Sequence, residues 1–352
     1  MKKELLIASA LVGTLGVAGV AEAASATMSG KTRVGVKWVD TDGAGDATMD
    51  AHQQSSFSVS LSETTDAGMT IATGFDLTDE NDGATDNSGL TLTFTSGAKL
   101  DLIEAGSAYA SHLASVPGAS GEQGVAGSTN MTAPSGLDYA SSNDAVGFEL
   151  HTAADAFGID GFKAGISASF NGDKASSTSA HTLENSFSVG ASYVTTAGDS
   201  TVTIGGGFHQ ADTVATAASS DTQSTAMSIS AVTGDLTVGL GYASGDKLEG
   251  NTGSVDQEIK SASVTTAGAS YVSGDMTFAV GYANGEGQDG TLGAAADGEA
   301  DTYEQTAASV DYVVASGVTA TIGYSDRERS NEATTDTNHS GTSWYIGANV
   351  SF

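Results

Sequence analysis

The chain has 352 residues, with 46 Gly, only 2 Pro and no Cys, and a formal net charge of -31. That acidity repels polyanions and excludes nucleic acid as a partner, and the lack of Cys removes any disulfide framework. Past the N-terminal segment no window approaches the roughly 18 continuous apolar residues of a spanning helix, so helical membrane spans are excluded on pattern.

Lys2 and Lys3 precede an apolar run from Leu5 to Val20, and Ala21-Glu22-Ala23 supplies small residues at a cleavage position. This reads as a secretory signal peptide over 1–23, leaving 24–352 as one β domain. From there the sequence alternates with period two. Between Thr27 and Trp38, the side chains of Met28, Val34, Val36 and Trp38 share one face, and Ser29, Lys31, Arg33 and Lys37 share the other. A strand with one apolar and one polar face is predicted. Similar strands follow at Phe57 to Leu61, Met69 to Phe75, Leu90 to Phe94 and Lys99 to Ile103, separated in turn by polar loops and tight Gly-containing turns.

The alternation stops at Glu104. Residues 104–143 contain both prolines, Pro117 and Pro134, which cannot donate to a sheet ladder and set this stretch apart from the wall. A long stretch without strands inside a compact domain is usually functional. Within it Tyr109, Leu113 and Val116 fall on one helical face behind Ser107, predicting a short capped helix that Pro117 stops. Strand patterns resume at Val146 to Leu150, Phe162 to Phe170, Asn185 to Tyr193, Val202 to Phe208, Thr225 to Ala231 and Leu236 to Tyr242. They continue at Ala262 to Tyr271, Met276 to Tyr282, Thr306 to Tyr312, Val318 to Tyr324 and Thr342 to Phe352, sixteen strands in all.

The hairpin Ala269 to Ala283 shows the common design: alternating apolar residues on both sides of Ser273-Gly274-Asp275, opposed by Ser, Thr, Ala and Gly. Nothing in the sequence supplies a second layer to cover the apolar face. A closed transmembrane antiparallel barrel resolves this, because each backbone group pairs with a neighbouring strand while lipid meets the apolar face and water the polar one. Aromatic residues fall in two groups: Trp38, Phe57, Phe75, Phe170, Phe208, Tyr242, Tyr282, Tyr324 and Trp344 towards the long loops, and Phe94, Phe162, Tyr193, Tyr271, Tyr312 and Phe352 towards the short turns. Two girdles of this kind are expected at the two membrane interfaces. The rival reading is a secreted adhesin or β-solenoid, whose repeats would resemble one another more closely than these do.

Three stretches carry a resemblance: Ser29 to Val36, Thr64 to Gly68, and Lys99 to Leu102 followed by Glu104 to Ala108, in that order. Together with the terminal run Gly341 to Phe352, they resemble the sixteen-stranded general porins of Gram-negative outer membranes, particularly the alphaproteobacterial branch. The resemblance implies an outer-membrane channel for small hydrophilic solutes and ions, a homotrimer in lipid and lipopolysaccharide. It also implies that the C-terminal Phe352 is read by the barrel assembly machinery, and that the third long loop folds into the lumen as a constriction. On that reading Glu104, Glu122, Asp138 and Asp144 form the acidic side of the constriction, and Lys31, Arg33, Lys37 and Lys99 its basic wall. The net charge favours cations. Small residues on the first and last strands, Gly30, Gly35, Gly347 and Ala348, are expected to allow close contact between subunits.

Other chemistry finds little support in the pattern. The histidines, His52, His112, His151, His181, His209 and His339, include no i, i+4 pair, and neither a G-x-S-x-G nor an H-E-x-x-H motif occurs, so neither an enzyme nor a histidine metal site is expected. Calcium is conceivable at Asp79, Glu80 and Asp82, but Asp82-Gly83 lacks the D-x-[DN]-x-[DN]-G spacing, and a solvated loop is the simpler reading.

Overall fold

The computed structural model describes residues 25–41, 48–79, 84–102, 107–119, 146–170, 181–215, 219–248, 259–288, 300–330 and 339–352. The signal-peptide segment 1–23 lies outside them. Sixteen strands run as β1 (Ser25–Thr41), β2 (Thr48–Thr64), β3 (Thr70–Asp79), β4 (Ala84–Thr93), β5 (Lys99–Leu102), β6 (Val146–His151), β7 (Phe162–Phe170) and β8 (His181–Ala197). They continue as β9 (Ser200–Ala215), β10 (Ser219–Thr233), β11 (Leu236–Leu248), β12 (Ile259–Ser273), β13 (Met276–Gln288), β14 (Ala300–Ala315), β15 (Val318–Ser330) and β16 (His339–Ser351). Each pairs antiparallel with its sequence neighbours, and β1 pairs with β16, closing the barrel. Closure rules out the solenoid reading: this sheet has no edge left to stack another repeat on.

Short turns explain the order. Gly198, Gly234 and Gly274 take positive φ at the first position of two-residue hairpins, while the Asp that follows each does not. This is the II′ geometry, whose twist matches that of the flanking strands. The ring closes through Phe352, which accepts a hydrogen bond from the Gly30 amide at 2.8 Å and donates its own to the Gly30 carbonyl at 2.9 Å.

Alternation sorts the side chains as the sequence requires. Along β13 the outward residues Met276, Phe278 and Val280 remain 42–52 % exposed, and the outer face elsewhere carries Leu240, Ile322, Trp344 and Ile346, also exposed. Aliphatic and aromatic groups left bare on one face of a closed ring suit a lipid surround, with Ser, Thr and Gly turned to the interior. One aromatic row crosses three strands: Trp38 lies opposite Trp344, which lies opposite Tyr324, and the last two rings pack 4.6 Å apart.

Two expectations are corrected. The strands do not end at the loop-side aromatics. β9, β11, β13 and β15 run on past Phe208, Tyr242, Tyr282 and Tyr324 to Ala215, Leu248, Gln288 and Ser330. Above the girdle no lipid selects for apolar side chains on the outer face, so period-two patterning is lost while ladder hydrogen bonds persist. The small-residue contact surface is also largely filled. Gly35 and Gly347 sit on the inner face beneath the buried ring of Tyr345, and the Phe352 ring covers Gly30. Of that set only Gly30, under the Phe352 ring, and Ala348 face outward.

Candidate functional site

The connection from β5 to β6 is described over 107–119, and it lies on the polar, inner face of the barrel. Its one helix, α1 (Ala108–Ser111), is shorter than the spacing predicts, and Ser107 occupies the N-cap position without capping it. The barrel wall does so instead. Ser167 on β7 accepts the Ala108 amide at 3.1 Å, and Ser188 on β8 accepts the Tyr109 amide at 3.1 Å. Ser107 spends its own hydroxyl on Ser188, 3.0 Å away. These are first-turn amides that no helix satisfies internally, so the wall takes the place of a cap, and at His112 the backbone leaves the helix and runs along the wall. Farther on, Ser228 on β10 accepts the Ala114 amide at 2.6 Å.

Glycine makes room for this path. Gly165, Gly190, Gly205, Gly207, Gly239 and Gly268 step across β7, β8, β9, β11 and β12, and a Cβ at any of them would collide with residues 108–117 or His112. Their ladder pairings, Gly165 with Gly190, Gly190 with Gly207 and Gly239 with Gly268, make two short cross-strand rows, bridged on β10 by Ser228 opposite Gly205. Glycine inside a strand often marks close approach by another backbone. Tyr109 is fully buried against Ala226 and Ala243, and Ala119 packs on Ala307 of β14. From α1 to Ala119 the segment therefore follows half the ring. Replacing Ser228 by Ala strands the buried Ala114 amide and is expected to weaken the attachment by about 1–3 kcal/mol. Faster amide exchange across 107–119, with unchanged exchange in β9 to β11, is the check.

A second group of polar side chains gathers where β5, β6 and β7 leave the short-turn rim. Asp101 lies directly opposite Glu149. Lys99 pairs with Asp101 Oδ2 at 3.0 Å, and Thr91 donates to the other oxygen. His151 Nε2 is 3.2 Å from Glu149 Oε1 and 3.9 Å from Asp101 Oδ2. On the far side His151 Nδ1 meets His112 Nε2 at 3.1 Å, while Ser192 lies 3.3 Å from His112 Nδ1. Burial, and then the neighbouring His151, hold the His112 imidazole below the usual histidine pKa.

Of the wall residues singled out by sequence, Lys31, Arg33 and Lys37 lie on the inner face of β1, with Arg33 Nη1 donating to Gln54 Oε1 at 3.1 Å. Two strands, β15 and β16, separate them from β14, where the described segment stops. Lys99 stands apart, on β5, and is already paired with a carboxylate. Glu104, Glu122, Asp138 and Asp144 lie outside the described residues, as do Glu80 and Asp82, and Asp79 is the last residue of β3. Sequence reading missed Asp101, Glu149 and His151 as a group. Helical spacing was the wrong test for strands, where i and i+2 share a face and register supplies the third partner.

A family model for Gram-negative porins matches residues 8–352. No curated protein matches the chain in sequence. Among solved structures, an anion-selective porin from Comamonas acidovorans superposes with TM-score 0.66 at 14% identity, covering 94% of this chain and 100% of its own. OmpT of Vibrio cholerae in its trimer form gives 0.59 at 14%, covering 94% and 100%. OmpF of Salmonella typhi in complex with daunomycin gives 0.62 at 15%, covering 93% and 98%. At these identities the structures share the fold, and the family model, spanning nearly the whole length, carries the assignment: the chain belongs to the Gram-negative porin family and to the outer membrane.

Proposed function

We propose that this porin is a homotrimeric, cation-preferring diffusion channel whose constriction is the segment 104–143. The observation that supports it most is the track of wall serines and glycines that holds residues 107–119 against the inner face, since a strap fixed there removes cross-section from the pore. Small hydrophilic solutes and ions pass through what remains. Glu104, Glu122, Asp138 and Asp144 would supply the acidic side, opposed by Lys31, Arg33 and Lys37, while Lys99 contributes little net field because Asp101 offsets it. The leader 1–23 directs export, and the terminal Phe352 is the handle for barrel assembly. A trimer accords with the trimer form of the Vibrio cholerae relative.

The Comamonas acidovorans relative is anion-selective, so the sign of selectivity has to come from this chain's own charges. These sum to -31. Screening decides how many of them a passing ion feels. The screening length is about 3 Å at 1 M salt and about 10 Å at 0.1 M, so mouth and loop acids act together only in dilute salt. Reversal potentials across a salt gradient are expected to show cation preference near 0.1 M that fades near 1 M, and Glu122→Lys with Asp138→Lys is expected to reduce it. Anion preference in dilute salt would overturn this reading of selectivity. Conductance steps arriving in threes support the trimer; single steps with a monomer mass in native detergent count against it.

A further inference from the structure

We propose that Asp101, Glu149 and His151 form a binding site for a divalent transition-metal ion on the lumen wall, with His112 of the inner segment orienting the histidine. One ligand atom from each of the three side chains comes within 4.8 Å of the others. Zinc at bond lengths of roughly 2.0–2.1 Å wants donors about 3.3 Å apart in a tetrahedron. The pair of His151 Nε2 and Glu149 Oε1 is there already at 3.2 Å, and Asp101 Oδ2, at 3.9 Å from the same nitrogen, needs only a small side-chain rotation.

Three further observations point to a cation at this place. Glu149 is only 3 % exposed, and no well-formed hydrogen bond reaches its Oε1, although His151 and Ser111 lie beside the carboxylate. A buried carboxylate served this poorly is costly unless a cation meets it. Asp101 and Glu149 are also directly opposite on the ladder, an arrangement in which like charges repel. Lys99 pairs directly with Asp101 and acts on Glu149 only through space.

Finally, the second ring nitrogen of His151 is held. With His151 Nδ1–H donating to His112 Nε2, Nε2 is left as a bare lone pair 3.2 Å from Glu149 Oε1, and a metal ion bound by both atoms replaces that opposition with two bonds. Holding the far nitrogen of a metal-bound histidine fixes its tautomer and raises its basicity. Gly165 leaves the space the two imidazoles occupy. An imidazole with two carboxylates suits zinc, cobalt or manganese better than calcium, which takes six to eight oxygens. A fourth position would be left to water. The site joins two wall strands to the inner segment, so a bound ion would clamp residues near α1 to the barrel.

The test uses the assembled full-length porin in detergent, without any measurement of current, so its outcome is separable from the channel reading. Cobalt(II) is titrated in excess magnesium, which occupies the surface carboxylates, and visible d–d absorption is followed before displacement by zinc. One cobalt per chain is expected, displaced stoichiometrically by zinc. His151→Gln and Glu149→Gln should abolish the band, and His112→Gln should weaken affinity by about 10–100-fold. Equal affinity in wild type and His151→Gln overturns the proposal. So does absence of a saturable band in wild type, a result that stands even if a variant fails to assemble.

Discussion

Deletion of residues 120–133 is expected to raise single-channel conductance and to admit larger solutes, while heat-modifiable mobility on gels still reports a folded barrel. Ala119 lies beside β14 and Val146 opens β6, half a ring apart. With strands about 4.8 Å apart and tilted by about 40°, a ring of sixteen is roughly 30 Å across. Residues 134–145 reach at most about 40 Å when extended, so the shortened connection still closes without pulling on the wall. The attachments of 107–119 to Ser167, Ser188 and Ser228 are also kept, which leaves the barrel's own packing as it was. Unchanged conductance and solute cut-off would place 120–133 away from the conduction path and overturn the assignment of 104–143 as the constriction.

The sixteen strands were legible because lipid imposes an alternation on every one of them. Their lengths were not, and Tyr282 shows why: β13 continues six residues beyond it through Ala283-Asn284-Gly285-Glu286-Gly287-Gln288, where no lipid meets the outer face and nothing selects for alternation. The inner segment was legible as a departure from the wall, through Pro117 and the missing alternation. Its local shape was not, since its amides are taken by hydroxyls on strands far from it in sequence, from Ser167 on β7 to Ser228 on β10. The glycines facing it carried a readable signal. Gly190, Gly205, Gly207, Gly239 and Gly268 interrupt strands with no turn to make, which already says that something lies against them. Register was the missing piece for the Asp101, Glu149 and His151 group, because sequence alone does not reveal that Asp101 pairs with Glu149. Gly35 and Gly347 misled for another reason: alternation already puts Gly35 on the face of Lys31, Arg33 and Lys37, and Gly347 on the face opposite Trp344, so both turn inward under Tyr345.

Gly268→Val is expected to move conductance in the direction opposite to the deletion. A Cβ at Gly268 would fall on the Pro117 carbonyl, and on both sides of that clash the atoms belong to backbone. The β12 strand is held by ladders to β11 and β13, so it is the inner segment that must give. Away from the wall means towards the pore axis, and the cross-section shrinks. Overpacking of this kind costs about 1–3 kcal/mol, which should appear as a lower temperature of heat modification. Gly206→Val serves as the control. Gly206 is on β9 beside Gly205 but turned to the outer face, where the tightest approach to a new Cβ is the Ala226 carbonyl at 3.3 Å. That variant should conduct as wild type does. If Gly268→Val conducts as wild type while its heat modification is shifted, the segment is packed as described but does not bound the pore, and the constriction must be sought elsewhere on the inner wall.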